Sequence, residues 1–198
     1  MNKFLPVFLF VWLLGCENGS NGRGVDYTNE QGVREVYFLD KVTQKKTGLY
    51  RKYNPDGILE EEAYYVDDTL HGSRVLYQVS GDTLIIESYR SGDFHGTFKA
   101  FYDNGALQLQ GEYVDNVMWG VWEKYYKSGQ LMEEVTFSGN EENGPFTEYH
   151  ENGNLKAKGN YLNGDREHGV LYLYDEAGVL TRKMDCNEGI CKTIWQLE

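Results

Sequence analysis

Proline is scarce in this chain, with 3 in 198 residues, and cysteine is equally rare at 3. That composition excludes a collagen-like or polyproline architecture and a disulfide-dense scaffold. Basic residues are in deficit: 19 Lys and Arg against 31 Asp and Glu give a formal net charge of -12. No basic stripe interrupts the acidic balance, so a phosphate backbone meets repulsion and nucleic acid is excluded as a partner. The motifs of common catalytic and metal sites are missing too. There is no phosphate loop, no nucleophile elbow, no His-Glu-x-x-His, no Cys-x-x-Cys and no Asp-x-Asp-x-Asp-Gly calcium loop. A metal, a cofactor and a catalytic residue are therefore not expected. In surplus are 16 Tyr and 23 Gly, the composition of many short strands joined by frequent turns.

The one long apolar run lies at the start. Lys3 precedes Phe4 to Leu14, too short for a permanent membrane helix and suited to a signal-peptide core. The run closes on Leu13-Leu14-Gly15-Cys16, which resembles the lipobox of bacterial lipoproteins. That resemblance implies cleavage before Cys16, acylation of its sulfur by palmitate-like chains, and a lipid-anchored place in the bacterial cell envelope. Two or more acyl chains make a stable anchor where a single chain does not. Residues 1–15 are thus read as signal peptide. The Gly/Asn/Ser-rich stretch 16–32 reads as a flexible tether, and 33–198 as the folded part.

That folded part repeats. Boundary glycines stand at Gly48, Gly72, Gly96, Gly120, Gly144 and Gly169, and a second glycine follows each by nine positions. Counting each boundary glycine as position 0, position 5 is always aromatic: Tyr53, Tyr77, Phe101, Tyr125, Tyr149 and Tyr174. Position 2 holds Tyr50, Arg74, Phe98, Trp122, Phe146 and Leu171, and position 17 holds Tyr65, Tyr89, Tyr113, Phe137, Tyr161 and Cys186. The one extra residue in the last spacing falls in the Asn163–Glu167 loop, since insertions in arrays map to loops. Residues 33–47 read as half a unit or an N-terminal cap.

Each unit reads as a hairpin. A strand such as Val121 to Tyr126 meets a turn at Lys127-Ser128-Gly129, and the return strand alternates, with Leu131, Glu133, Val135 and Phe137 on one side. Trp122 and Tyr125 are three apart, so either both faces carry aromatics or a bulge rotates one of them. Stacked hairpins are expected to bury each aromatic column against its own copies.

Gly-x-Trp-x-x-Tyr-Tyr-x-x-Gly-x-Leu, closed by an aromatic and a further glycine, resembles the MORN-repeat variant found in many bacterial proteins. The resemblance covers about residues 48–185. It implies an all-β fold, an elongated single-layer antiparallel sheet of consecutive hairpins. It also implies a scaffold or membrane-associated role, and some bacterial members carry an antitoxin-like label. The second unit departs from the pattern, with Arg74 for an aromatic and its leucine displaced by one.

Two further clusters bear on chemistry. His71, His95 and His168 each precede a boundary glycine, but equivalent residues two strands apart lie about 10 Å from one another, too far to share an ion. Cys186 and Cys191, left over once Cys16 is lipidated, favour a disulfide stapling the C-terminal cap. The functional reading is a membrane-anchored, non-catalytic binding or scaffold module. Its candidate surface is Tyr53, Arg74, Tyr77, Phe101, Tyr125, Tyr149 and Tyr174, and a protein or glycan is its partner. An antitoxin-like inhibitor and a glycan-acting envelope enzyme are the alternatives.

Overall fold

A computed structural model describes residues 22–198. The signal peptide and Cys16 lie outside the described residues. The described chain forms one antiparallel sheet whose strands follow one another in sequence order. These are β1 (Gly22–Thr28), β2 (Arg34–Asp40), β3 (Gly48–Tyr53), β4 (Leu59–Val66), β5 (Thr69–Tyr77), β6 (Thr83–Arg90), the short β7 (Asp93–Phe94) and β8 (Gly96–Phe101). The sheet continues with β9 (Leu107–Val114), β10 (Val117–Tyr125), β11 (Leu131–Ser138), β12 (Glu141–Tyr149), β13 (Leu155–Tyr161), β14 (Gly169–Tyr174), β15 (Leu180–Asn187) and β16 (Ile190–Gln196). The all-β, single-layer hairpin array read from the sequence is the observed fold.

One expectation at the N-terminus needs correction. Residues 22–32, read as tether, form β1 and its turn, and β1 pairs along its whole length with β2. Asn29 heads that turn as Asn54 heads the next. In both, the Asn side chain accepts two backbone N–H bonds and the Gly three residues on donates to the Asn carbonyl. Residues 33–47, read as half a unit or a cap, hold the second strand of that hairpin, β2. The hairpin is hidden in the sequence because it lacks the aromatic at position 5 and the bulge that accompanies it.

That bulge recurs in the six other hairpins. Lys124 pairs with Glu133 but Tyr125 pairs with Leu131, and the same one-residue slip precedes Tyr53, Tyr77, Phe101, Tyr149 and Tyr174. A second irregularity sits at the boundary glycine. Trp119 pairs with Glu112 and Glu123 with Gln110, so Gly120, Val121 and Trp122 together face Gly111. Gly120 holds φ at 76°, as its counterparts do between 77° and 129°. Only glycine takes that conformation in mid-strand at little steric cost. In β5, β10 and β12 the boundary glycine thus marks a bend within a strand, and several of the actual links between units are two-residue turns, while longer loops, 41–47 and 162–168, join β2 to β3 and β13 to β14. At Asp67-Asp68 and Asp115-Asn116 both residues have positive φ, the geometry whose twist matches flanking strands.

The bend builds the core. Tyr50, Trp122, Phe146 and Leu171 at position 2 are buried, as are Ala63 and Val135 at position 15 and Tyr89 and Cys186 at position 17. Rings meet mainly across columns: Trp122 lies 5.2 Å from Tyr113 and 6.0 Å from Phe137, and Phe146 stacks on Tyr161 at 4.1 Å. Contact of a column with its own copy is seen between Phe98 and Trp122, whose rings lie 5.7 Å apart and tilted by 33° rather than stacked as expected. Strand spacing explains the difference. Copies two strands apart sit about 10 Å from each other, whereas neighbouring strands bring unlike columns within ring contact.

Gly111 is where this packing is tightest. A methyl group there would come within 2.2 Å of the Trp122 ring. Gly111→Ala is expected to lower stability by about 1–3 kcal/mol through overpacking, read as a fall in the urea midpoint. Ala at Gly24, whose added methyl meets only Phe38 at 3.8 Å, should move that midpoint much less. Equal shifts for the two would contradict the packing.

Candidate binding surface

Position parity sends the strand aromatics to opposite faces. Trp122 enters the core, while Tyr125 turns its hydroxyl to Glu123, two residues back on its own strand, at 2.9 Å. Both faces therefore carry aromatics, and the bulge is present as well. On the face away from the core, Tyr53, Tyr77, Phe101, Tyr125, Tyr149 and Tyr174 form a row of half-buried rings, one from each of β3, β5, β8, β10, β12 and β14. Their spacing of two strands is about 10 Å.

Polar side chains fix the middle of this row. Gln110 donates to the Tyr125 hydroxyl at 3.1 Å and also to Glu123. One unit on, the Tyr149 hydroxyl donates to Glu134 at 3.1 Å. Burial, with the adjacent carboxylates, holds the Tyr125 and Tyr149 hydroxyls above the ordinary phenol range, so they stay protonated donors. A hydroxyl that reaches a side chain two positions back implies a ring reclining along its strand. Near the C-terminal end the pattern changes sign. The Lys158 and Lys183 ammonium groups lie 5.1 and 5.7 Å from the Tyr172 ring, and Lys183 lies 5.8 Å from Trp195. Gln110, Glu123, Glu134 and Tyr172 escaped the sequence reading. Their signal was available: they occupy positions 14 and 3, which share parity with position 5 across the hairpin.

Arg74 does not join the row. It sits at position 2, in the core stripe, where its guanidinium meets Glu61 at 2.7 Å and Glu87 at 3.1 Å. Tyr89 donates to the same Glu87 carboxylate at 2.9 Å, and its hydroxyl is pushed up to about 12 by burial and by that carboxylate. Burial works against the Arg74 charge, but the bonds and field of Glu61 outweigh it and raise its pKa. Unit two thus replaces ring-on-small-residue packing with a bonded ionic cluster. Arg74 and Tyr77 come together only at the rim of an open depression of about 280 Å³ at the hairpin tips.

The remaining candidates resolve as follows. Cys186 and Cys191 are joined in a disulfide across β15 and β16. His95 Nδ1 lies 3.2 Å from Asp115, and His71 Nδ1 lies 3.4 Å from the Ser91 amide. Among the described residues no group of three or more His, Cys, Asp or Glu side chains is arranged to hold a metal ion.

Carboxylates crowd one part of the array. Burial and then the facing Glu148 raise the Glu133 pKa, and burial, Glu133 and Asp165 raise that of Glu142. A carboxylate whose pKa is higher folded than unfolded favours the native state below its unfolded pKa and loses that advantage as pH rises through the folded value. Glu133→Gln is therefore expected to stabilise the protein at pH 7 by about 1 kcal/mol or less, and to have no such effect near pH 4. Urea midpoints at the two pH values check this, and a gain that persists at pH 4 would contradict it.

No curated protein matches the chain. The family described as MORN repeat variant matches residues 46–67, 94–115, 120–138 and 142–163. The unit around Arg74 and the unit ending at Cys186 lie outside those stretches, where the core columns depart from pattern. Repeats of this kind are generally binding or scaffold modules, and these four stretches of the chain are similar to MORN-variant repeats.

Proposed function

We propose that the protein is a lipid-anchored, non-catalytic binding module of the bacterial cell envelope, tethered through Cys16, that presents its row of half-buried rings to a protein or glycan. The observation that carries this reading is the row itself. One aromatic per repeat recurs in register from Tyr53 to Tyr174 on the face that the fold does not use for its core. A core residue has a packing reason to recur, and a ring on the outer face with its hydroxyl already fixed gains less from the fold. Repetition makes the surface long and shallow, suited to an extended ligand that meets equivalent groups step after step. The resemblance of Leu13-Leu14-Gly15-Cys16 to a lipobox supports the anchor.

Cys16→Ser should abolish incorporation of labelled palmitate and shift the protein from the membrane fraction to the soluble one. Incorporation that persists in the variant would refute the anchor. Chemical crosslinking in intact envelopes should then capture a partner with the wild type. With Tyr125→Ala and Tyr149→Ala combined, capture should fall at least tenfold while the circular dichroism spectrum is unchanged. Equal capture by the variant would remove the row from the reading.

A further inference from the structure

A line of direct cross-strand partners runs along the outer face, and its character changes toward the C-terminal end. In the middle Glu123 pairs with Glu134, which pairs in turn with Thr147. Beyond Thr147 the successive partners are Lys158 on β13, Tyr172 on β14, Lys183 on β15 and Trp195 on β16. Ammonium group and ring alternate over these four strands, 5.1, 5.7 and 5.8 Å apart. Elsewhere Lys52, Lys127 and Lys156 each reach a carboxylate, at 3.3, 2.6 and 2.7 Å. Among the described residues neither Lys158 nor Lys183 has a carboxylate at ion-pair distance, and their partners are the rings. A ring orients an ammonium group without cancelling its charge. In a chain of net charge -12, two uncancelled cations side by side on one face run against the overall field.

We propose that Lys158, Tyr172, Lys183 and Trp195 form a four-step subsite for an acidic polysaccharide in which a uronic acid alternates with an uncharged sugar. The inference rests on the outer face being the one that meets ligand, and it names the class of glycan. Spacing and charge select this ligand. Lys158 and Lys183 stand two strands apart, about 10 Å, with a ring one strand beyond each. A pyranose unit advances a β-linked chain by close to one strand spacing. A polysaccharide laid across the strands therefore sets one acid over Lys158 and the next over Lys183, with the uncharged sugars over Tyr172 and Trp195. The ammonium groups donate charge-assisted hydrogen bonds to the carboxylates. The C–H faces of the uncharged sugars pack on the open parts of the rings, Trp195 being 40% exposed. An extended acidic peptide fits less well, because side chains on one of its faces recur about every 7 Å. Glu134 limits the site: it lies two strands before Lys158, where a third acid would meet like charge.

The test uses the full-length protein carrying Cys16→Ser, so that acyl chains do not bring it to membranes. The probe is a tetrasaccharide of alternating glucuronate and N-acetylglucosamine, followed by isothermal titration calorimetry. It should bind, and more weakly as salt is added. Lys158→Gln and Lys183→Gln should each weaken binding at least fivefold, whereas Lys158→Arg and Lys183→Arg should retain most of it. Circular dichroism reports that the fold is kept. An uncharged cello-oligosaccharide of the same length should bind at least tenfold more weakly. No binding of the acidic tetrasaccharide, or binding indifferent to the Gln variants, would overturn the proposal. So would polyglutamate or phosphatidylglycerol vesicles that bind as tightly through the same two lysines. Binding that survives the lysine changes but falls with Tyr125→Ala and Tyr149→Ala combined would overturn this subsite while keeping the row.

Discussion

A sheet with no second layer has to bury its apolar face against itself, and everything distinctive in this fold follows from that constraint. The solution is a fold within the strand. A glycine at positive φ lets three residues of one strand stand opposite a single residue of the next, which lays a large ring over a small neighbour. Trp122 over Gly111 is the limiting case: no Cβ fits beneath the indole. Phe146 also lies over a glycine, Gly159, but as its direct partner across the β12–β13 hairpin, with an added Cβ meeting the ring at 2.9 Å. The indole N–H of Trp122 is buried with no hydrogen-bond partner among the described residues. That costs about 1–3 kcal/mol in a site where a ring of this size contributes a comparable gain by burial. Arg74 and Glu87 show a second solution at the same two positions, with charge and hydrogen bonds in place of shape.

Register between repeats is held at both ends of the strands. At the turns linking units, the second residue donates its backbone N–H to the carbonyl 22 residues earlier. Asp68 meets Lys46 in this way, Gly92 meets Leu70, Asn116 meets Phe94, Gly164 meets Glu142 and Gly189 meets Glu167. At the opposite ends, side chains reach forward to the next repeat. The Tyr102 hydroxyl donates to the Tyr125 carbonyl and Tyr126 to the Tyr149 carbonyl, while Gln78 bonds the Tyr102 carbonyl. The clasps at the turns join backbone to backbone, so they tolerate changes of side chain better than the ring columns do. That is why the array keeps its pairing through the Arg74 unit, where the core chemistry changes.

Periodicity made the fold legible. Three columns in phase give hairpins, and hairpins in sequence order give a single sheet. What periodicity could not give was geometry at the glycines. A boundary glycine looks like punctuation between units, yet Gly120 lies inside β10, and the links are turns such as Asp115-Asn116, which the columns do not mark. The same reliance on columns concealed β1, whose turn chemistry at Asn29 matches its neighbours although its side chains do not. For the outer surface, spacing placed Tyr125 and Tyr149 correctly as a row. It groups Arg74, at position 2, with the row although the odd separation from position 5 points to the other face, because a bulge between the two positions remains open in the sequence.

The two faces divide the evolutionary demands on one short repeat. Position 2 answers to its small partner at position 15, so substitution there requires a matching change, as Arg74 with Glu87 illustrates. Position 5 answers only to flexible polar side chains at positions 3 and 14, which vary from Gln110 and Glu123 to Lys158 and Tyr172 without disturbing the core. The outer face can therefore change its charge along the array, from carboxylates beside Tyr125 to ammonium groups beside Tyr172, at little cost to stability. A repeat that couples its inner face tightly and its outer face loosely can add units or retune them singly. Each added unit extends the surface by about 10 Å and brings its own hairpin turn and inter-repeat clasp with it. Affinity for an extended ligand then grows by the number of adjacent units engaged, which requires no single unit to hold a deep or enclosed site.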